Sequence, residues 1–275
     1  MPVYIPTSLD AAVSLLDENP QSHLLTGGTD MMVEVNFNHR HPESVIALRA
    51  ISELKKWSVN TESIFIGAGV PYSQMEHGEL AAALPALAEA ARTVGSPQIR
   101  AAGTLGGNLG TCSPAGDSLP VLSALNAVVH LQSPSGERRV PFSEFMVGPK
   151  RNARETNEII AGVTIPLTKG WQGYSKVGTR NAMVISVASA CLSLNNGAVS
   201  IALGSVGPVI IRCTAAESWF NSLAVATLSD SVATEFGTRV SEEARPIDDH
   251  RSTAQYRRHA VGVLATRLLQ RGFAS

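Results

Sequence analysis

The sequence predicts an α+β fold: an α/β domain followed by a small domain in which helices pack on a three-stranded antiparallel sheet. Three observations lead to this. Up to Pro166, short apolar runs that end in glycine alternate with stretches of helical periodicity. Beyond Pro166 come three apolar strands, the last two joined by Asn195-Asn196-Gly197, a tight hairpin signal. The chain closes on one strong amphipathic stretch. With 275 residues it divides more naturally into two domains than one, with the boundary near Leu167 to Trp171.

Ser8 to Asp17 reads as a helix, with Ser8 as N-cap and Leu9, Val13 and Leu16 on one face. His23 to Thr26 is a strand running into Gly27-Gly28, and Thr29 to Val35 follows as a helix, a strand–turn–helix unit suited to phosphate. Val45 to Leu48 and Ile64 to Gly69 are strands, with a helical turn at Ile51 to Leu54 between them. Tyr72 to Leu84 is helical. Pro85 opens a helix that Gly95-Ser96-Pro97 ends. A glycine-rich loop follows, then a helix at Leu119 to Leu125. The strand Ala127 to Leu131, the hairpin turn Ser133 to Gly136 and the strand Glu158 to Ile165 complete the first domain. The second has strands at Gly173 to Val177, Ser186 to Leu194 and Ala198 to Leu203. Its helices lie around Ala215 to Leu223, Ser229 to Val240 and Thr253 to Gln270, the last with Ser252 as N-cap.

Composition excludes several classes of function. The formal net charge is −1, so nothing draws the chain to nucleic acid or an anionic membrane. Charged residues are only 16%, which fits a subunit that buries surface against partners and equally a low-charge monomer. The three cysteines, Cys112, Cys191 and Cys213, form no zinc or iron–sulfur spacing. No signal segment and no membrane span are read, so a cytoplasmic location is expected.

Two glycine-rich segments carry the chemistry. Leu25-Thr26-Gly27-Gly28-Thr29-Asp30 reads as an anion cradle of bare main-chain N–H groups at a helix start, or as a plain turn with an Asx-type cap. Gly103-Thr104-Leu105-Gly106-Gly107-Asn108 reads as a second set of backbone donors, or as a surface turn. Asp117, just beyond it, suits ribose or ribityl hydroxyls, and also the N-cap of the helix after it. Neither segment matches a Rossmann or P-loop motif. The histidines have no metal spacing, and no serine sits in a nucleophile elbow.

Together these segments resemble the FAD-binding medium subunits of the molybdenum hydroxylases, the family of carbon monoxide and xanthine dehydrogenases. The most specific part is Val94-Gly95-Ser96-Pro97-Gln98-Ile99-Arg100 running into Gly103 to Asn108 and Ser113 to Pro120. Ala101-Ala102 and Cys112 depart from the family's usual residues. The resemblance implies an FAD-binding domain over 1–168, its two parts dividing near 55–60, and a flavoprotein C-terminal domain over 169–275. It implies that Leu24, Leu25, Thr26, Gly27, Gly28, Thr29, Asp30 and Met31 wrap the FAD diphosphate. Thr104, Leu105, Gly106, Gly107 and Asn108 would hold the phosphate and ribityl region, and Asp117 a hydroxyl-bearing part. Val94 and Ile160 would pack near the cofactor. Lys176 would approach it from the second domain, with Arg180 near the flavin ring, although both also read as solvated residues at a strand end. No catalytic residue and no metal ligand is implied.

The same resemblance implies two partners, a large molybdopterin subunit and a small [2Fe–2S] subunit, with electrons passing through FAD to NAD⁺, oxygen or another acceptor. FAD is expected to bind non-covalently. Competing readings are a free-standing FAD-dependent oxidoreductase without molybdenum partners and a degenerate, colourless scaffold.

Overall fold

The computed structural model describes residues 1–275. The chain begins with β1 (Val3–Tyr4), α1 (Leu9–Glu18), β2 (His23–Leu25), α2 (Met31–Asn36) and β3 (Val45–Ala47). β3 lies between β1 and β2, parallel to both. Ser8 caps α1 by accepting from the Ala11 N–H at 3.2 Å, and Val13 and Leu16 bury the face the periodicity marks. In contrast, α2 buries none of its six residues.

A second sheet opens with β4 (Trp57–Val59) and β5 (Ser63–Gly67). The chain then runs through α3 (Tyr72–Met75), α4 (Gly78–Ala83), α5 (Pro85–Arg92), α6 (Pro97–Ala102), α7 (Leu105–Thr111) and α8 (Ser118–Ala124). It returns through β6 (Val128–Ser133), β7 (Gly136–Pro141), α9 (Phe142–Phe145), the small hairpin β8 (Met146–Gly148) and β9 (Arg151–Asn152), and β10 (Ile159–Pro166). This sheet, in the order β4-β5-β10-β6-β7, is antiparallel throughout. Parallel pairing is therefore confined to the first three strands. β8 and β9 escape the sequence reading because they are short, and β7 because it is charged at Glu137, Arg138 and Arg139.

The chain then continues as β11 (Trp171–Val177), β12 (Ala188–Asn195), β13 (Ala198–Gly204), β14 (Ile211–Arg212), α10 (Thr214–Ser222), α11 (Asp230–Glu243) and α12 (Ala254–Phe273). The sheet has four strands rather than three, because β14 adds a two-residue edge too short to show periodicity. Asn196 and Gly197 have φ of 51° and 80°, the left-handed pair that a tight hairpin requires. Thr253, not Ser252, caps α12, by accepting from the Tyr256 N–H at 3.2 Å; the Ser252 N–H instead donates to Asp249. Tyr174, Cys191 and Ala202 on one face of this sheet join the core of the first 168 residues, while Ala190, Leu192 and Ile201 on the other pack on α10–α12. Burial on both faces explains why β12 reads as a continuous apolar run. Full burial of a leucine such as Leu268 contributes about 1.5–3 kcal/mol, so this helix-covered face is what holds α12 in place. No helix is long and apolar enough to cross a membrane.

Candidate functional site

The two glycine segments meet. A Cβ on Gly27 would lie 1.8 Å from the Ala102 carbonyl oxygen, so only glycine allows the turn after β2 to rest on the end of α6. A Cβ on Gly103 would lie 3.3 Å from Thr29 Oγ1, and the Thr111 hydroxyl donates to Asp30 Oδ2 at 3.1 Å, joining residues 81 apart in sequence. Asp30 stands at the N-cap of α2 without making a side-chain cap bond, so the Asx-type cap is not formed.

Gly28 has φ of +72°, a left-handed conformation that glycine adopts without strain. The N–H groups of Thr26, Gly27, Gly28, Thr29, Asp30 and Met31 find no acceptor in the protein; the first N–H to bond is that of Met32, to Gly28 O. Six consecutive donors without a protein acceptor, on residues that are half-buried or, at Asp30, exposed, stand at a helix start, where such groups could hold an anion. Leu24 and Leu25 of β2 are half-buried behind the turn, and Met31 is half-buried at the start of α2. An open cavity of about 760 Å³ runs from Asp30 along α2, past Val33 and Phe37, to Lys150 and His250.

The second segment differs from the expected loop. It is helical: Thr104 caps α7 by accepting from the Gly107 N–H at 3.0 Å, and Asn108 N donates to Thr104 O. The Leu105 and Gly106 N–H groups donate to Val70 O and Ala68 O. Its main-chain donors are thus almost all engaged within the protein, which corrects the expectation of a second bare backbone cradle. Tertiary packing overrides the low helix propensity of glycine here: a Cβ on Gly106 would lie 2.4 Å from Ala68 Cβ. Gly107 faces outward, where a Cβ would meet only Thr104 Oγ1, at 3.2 Å. Asn108 accepts from the Ser118 hydroxyl at 2.6 Å and packs on Gly116. Cys112 ends α7 in the left-handed conformation, and burial pushes its thiol up to about 11, so it is no nucleophile at neutral pH.

Asp117 lies at the N-cap of α8 but makes no cap bond, which corrects that reading. Its buried carboxylate accepts from the Tyr174 hydroxyl and from Lys176 Nζ, both at 2.7 Å. Burial raises its pKa, and the Lys176 charge pulls against that shift. The three ammonium protons of Lys176 go to Asp117, Thr93 O and Val184 O. Lys176 thereby ties the C-terminal sheet to α8 and to the end of α5, with each ammonium proton engaged within the protein. Arg180 is exposed and folds back on the carbonyls of Ala182 and Met183 in its own loop, as a solvated strand end. Val94 is half-buried against the core beyond α5. Ile160 is buried in β10 beside a register shift between Ile160 and Gly162 that turns Ala161 O toward the Ala68 N–H. Sequence reasoning missed Thr111 and Tyr174, whose partners lie far away in the chain, and the role of Arg100, which sits in the last turn of α6 and reaches back to the carbonyls beyond α5.

Comparison with known proteins agrees with this arrangement. Residues 1–168 match the FAD binding domain in molybdopterin dehydrogenase, and residues 174–271 the CO dehydrogenase flavoprotein C-terminal domain. The nicotinate dehydrogenase FAD-subunit of Eubacterium barkeri is 36% identical over 192 residues, 67% of this chain and 65% of the relative. The carbon monoxide dehydrogenase medium chain of Hydrogenophaga pseudoflava is 27% identical, covering 98% of this chain and 96% of the relative. A solved structure of carbon monoxide dehydrogenase from the same organism superposes with a TM-score of 0.92 at 26% identity, covering all of this chain and 97% of that one. A family match over more than half the chain, joined to a turn of unpaired donors on a two-part scaffold, places this protein among the FAD-binding subunits of the molybdenum hydroxylases.

Proposed function

We propose that this chain is an electron-transfer subunit that receives electrons from the [2Fe–2S] clusters of a small partner and delivers them to NAD⁺ or another acceptor. A large molybdopterin partner would oxidise the substrate. The reading takes 1–168, in two parts meeting near 55–60, as the FAD domain, 169–275 as the domain that closes on it, and the cytoplasm as its location. The observation that carries it is the run of unengaged N–H groups from Thr26 to Met31.

FAD, when bound, supplies a store of reducing equivalents between one-electron clusters and the final acceptor. The residues of this chain bind and orient it. The N–H groups of Thr26 to Met31 donate to the diphosphate, with the dipole of α2 favouring negative charge. Gly107 leaves the outer face of α7 bare, so a phosphate or ribityl chain can approach the helix. Asp117 retains acceptor capacity beyond its bonds to Tyr174 and Lys176, for a hydroxyl of the cofactor. Val94 supplies apolar surface for the ring.

The test is reconstitution. Purified chain titrated with FAD is expected to turn yellow at one flavin per chain and to release the flavin into the supernatant on acid precipitation. Failure to take up FAD removes the reading, and flavin in the pellet removes the non-covalent part of it. Isolation from its source with one large and one small chain supports the assembly; isolation as a flavin-loaded single chain favours the free-standing alternative.

A further inference from the structure

Two cations hold the chain just beyond α5 by three successive carbonyls. Thr93 O accepts from Lys176 Nζ at 2.9 Å. Val94 O and Gly95 O accept from Arg100 Nη1 at 3.3 and 3.1 Å. Arg100 Nε donates to Glu76 Oε1 at 2.6 Å, and the two side chains are only 17% and 8% exposed. Cations suit a helix C-terminus, but an exposed lysine would serve that purpose. A buried Arg–Glu pair adds little net stability, because desolvation offsets the attraction. What this pair does fix is direction. Gly95 has φ of +43°, and a Cβ there would lie 2.8 Å from Ile99 Cγ2. The chain must then reverse at once into α6, which Ser96 caps. A turn this constrained keeps one shape only when its surroundings over-determine it.

The turn carries Val94. Through Lys176 it is also linked to Val184 O, in the segment between β11 and β12 where Met183 and Ile185 are exposed. The turn and this segment thus stand in fixed relation, with apolar side chains on both.

We propose that Arg100 is a positioning residue for FAD, fixing the Val94 turn as a preformed apolar wall for the isoalloxazine, with Lys176 bracing the other side of the same turn. This rests on the FAD reading above. The guanidinium of Arg100 reaches Glu76 through Nε and the Val94 and Gly95 carbonyls through Nη1, a fixed fork of donors that the point charge of a lysine does not reproduce.

The experiment compares the full chain with Arg100→Lys and with a control, Arg138→Lys. Arg138 likewise joins a carboxylate, Glu158, and a carbonyl, Ala153 O, but at the β7 edge. FAD is titrated by flavin fluorescence, the visible band of bound flavin is recorded, and each apoprotein is melted. Arg100→Lys is expected to fold, to bind FAD about tenfold more weakly or worse, and to shift the shape of the visible band. Arg138→Lys is expected to keep wild-type affinity and spectrum. Wild-type affinity and band shape in Arg100→Lys overturn the proposal. So does failure of that variant to fold, which assigns Arg100 to stability alone, or an equal loss of affinity in the control. If the unaltered chain takes up no FAD, it is the underlying reading that fails.

Discussion

The two glycine-rich segments look alike on paper and do opposite things. In Thr26 to Asp30 glycine opens the main chain: Gly28 adopts a left-handed conformation, and every N–H from Thr26 to Met31 is left without a protein acceptor. In Gly103 to Asn108 glycine closes space: Gly106 packs on Ala68, and the donors enter a capped helix. Gly27 has the second kind of role inside the first segment, since its lack of a side chain lets the turn rest on Ala102. The same residue type therefore accompanies either unengaged main-chain donors or a close contact between backbones, and only the surroundings distinguish them.

Substitutions at single glycines test this division. The largest effect is expected at Gly27→Ala, where the methyl group would overlap a backbone oxygen that cannot move aside; stability should fall by about 3 kcal/mol or more, measured by denaturant unfolding. An unchanged midpoint would show that the two segments do not press together. Gly107→Ala should separate binding from folding. Its methyl group meets only the Thr104 hydroxyl and adds helix propensity, so apoprotein stability should change by less than about 1 kcal/mol while FAD affinity drops about tenfold. Retained affinity would remove α7 from the cofactor surface. Gly110→Ala, in the same helix with nothing within 4 Å of its Cβ, should raise stability by about 0.5–1 kcal/mol and leave FAD binding unchanged.

A titration outside both segments provides the reference. Burial opposes ionisation of Asp249, but donation from the Arg251 and Ser252 N–H groups and from Arg257 outweighs it and holds the carboxyl at about 2. Because the folded value lies below the ordinary 3.8, its stabilisation is present above that value and is lost as pH falls through about 2. Asp249→Asn should flatten the acid limb of the stability curve; an unchanged limb would assign acid sensitivity elsewhere.

Much of the fold was legible. Ser8, Pro85, the Gly95-Ser96-Pro97 stop and the Asn196-Gly197 hairpin act through local sterics and capping, which a few neighbouring residues decide. Two-residue β14 and the charged strand β7 were not legible, because their only reason to be extended is the strand beside them. At the site, the glycine turn after β2 was readable as an anion cradle. Asp117 and Lys176 were readable as important charges but not as partners of each other, since 59 residues separate them.

The sequence by itself determined where the chain turns, where helices start and stop, and which segments could accept an anion, because φ preferences and caps depend on neighbours along the chain. The tertiary structure decided which donors stay unengaged: the N–H groups of Thr26 to Met31 find no acceptor, while those of Leu105 and Gly106 find Val70 and Ala68. Whether a polar group is satisfied depends on what lies within about 3 Å of it in space, and contacts across tens of residues leave no local signature in the sequence.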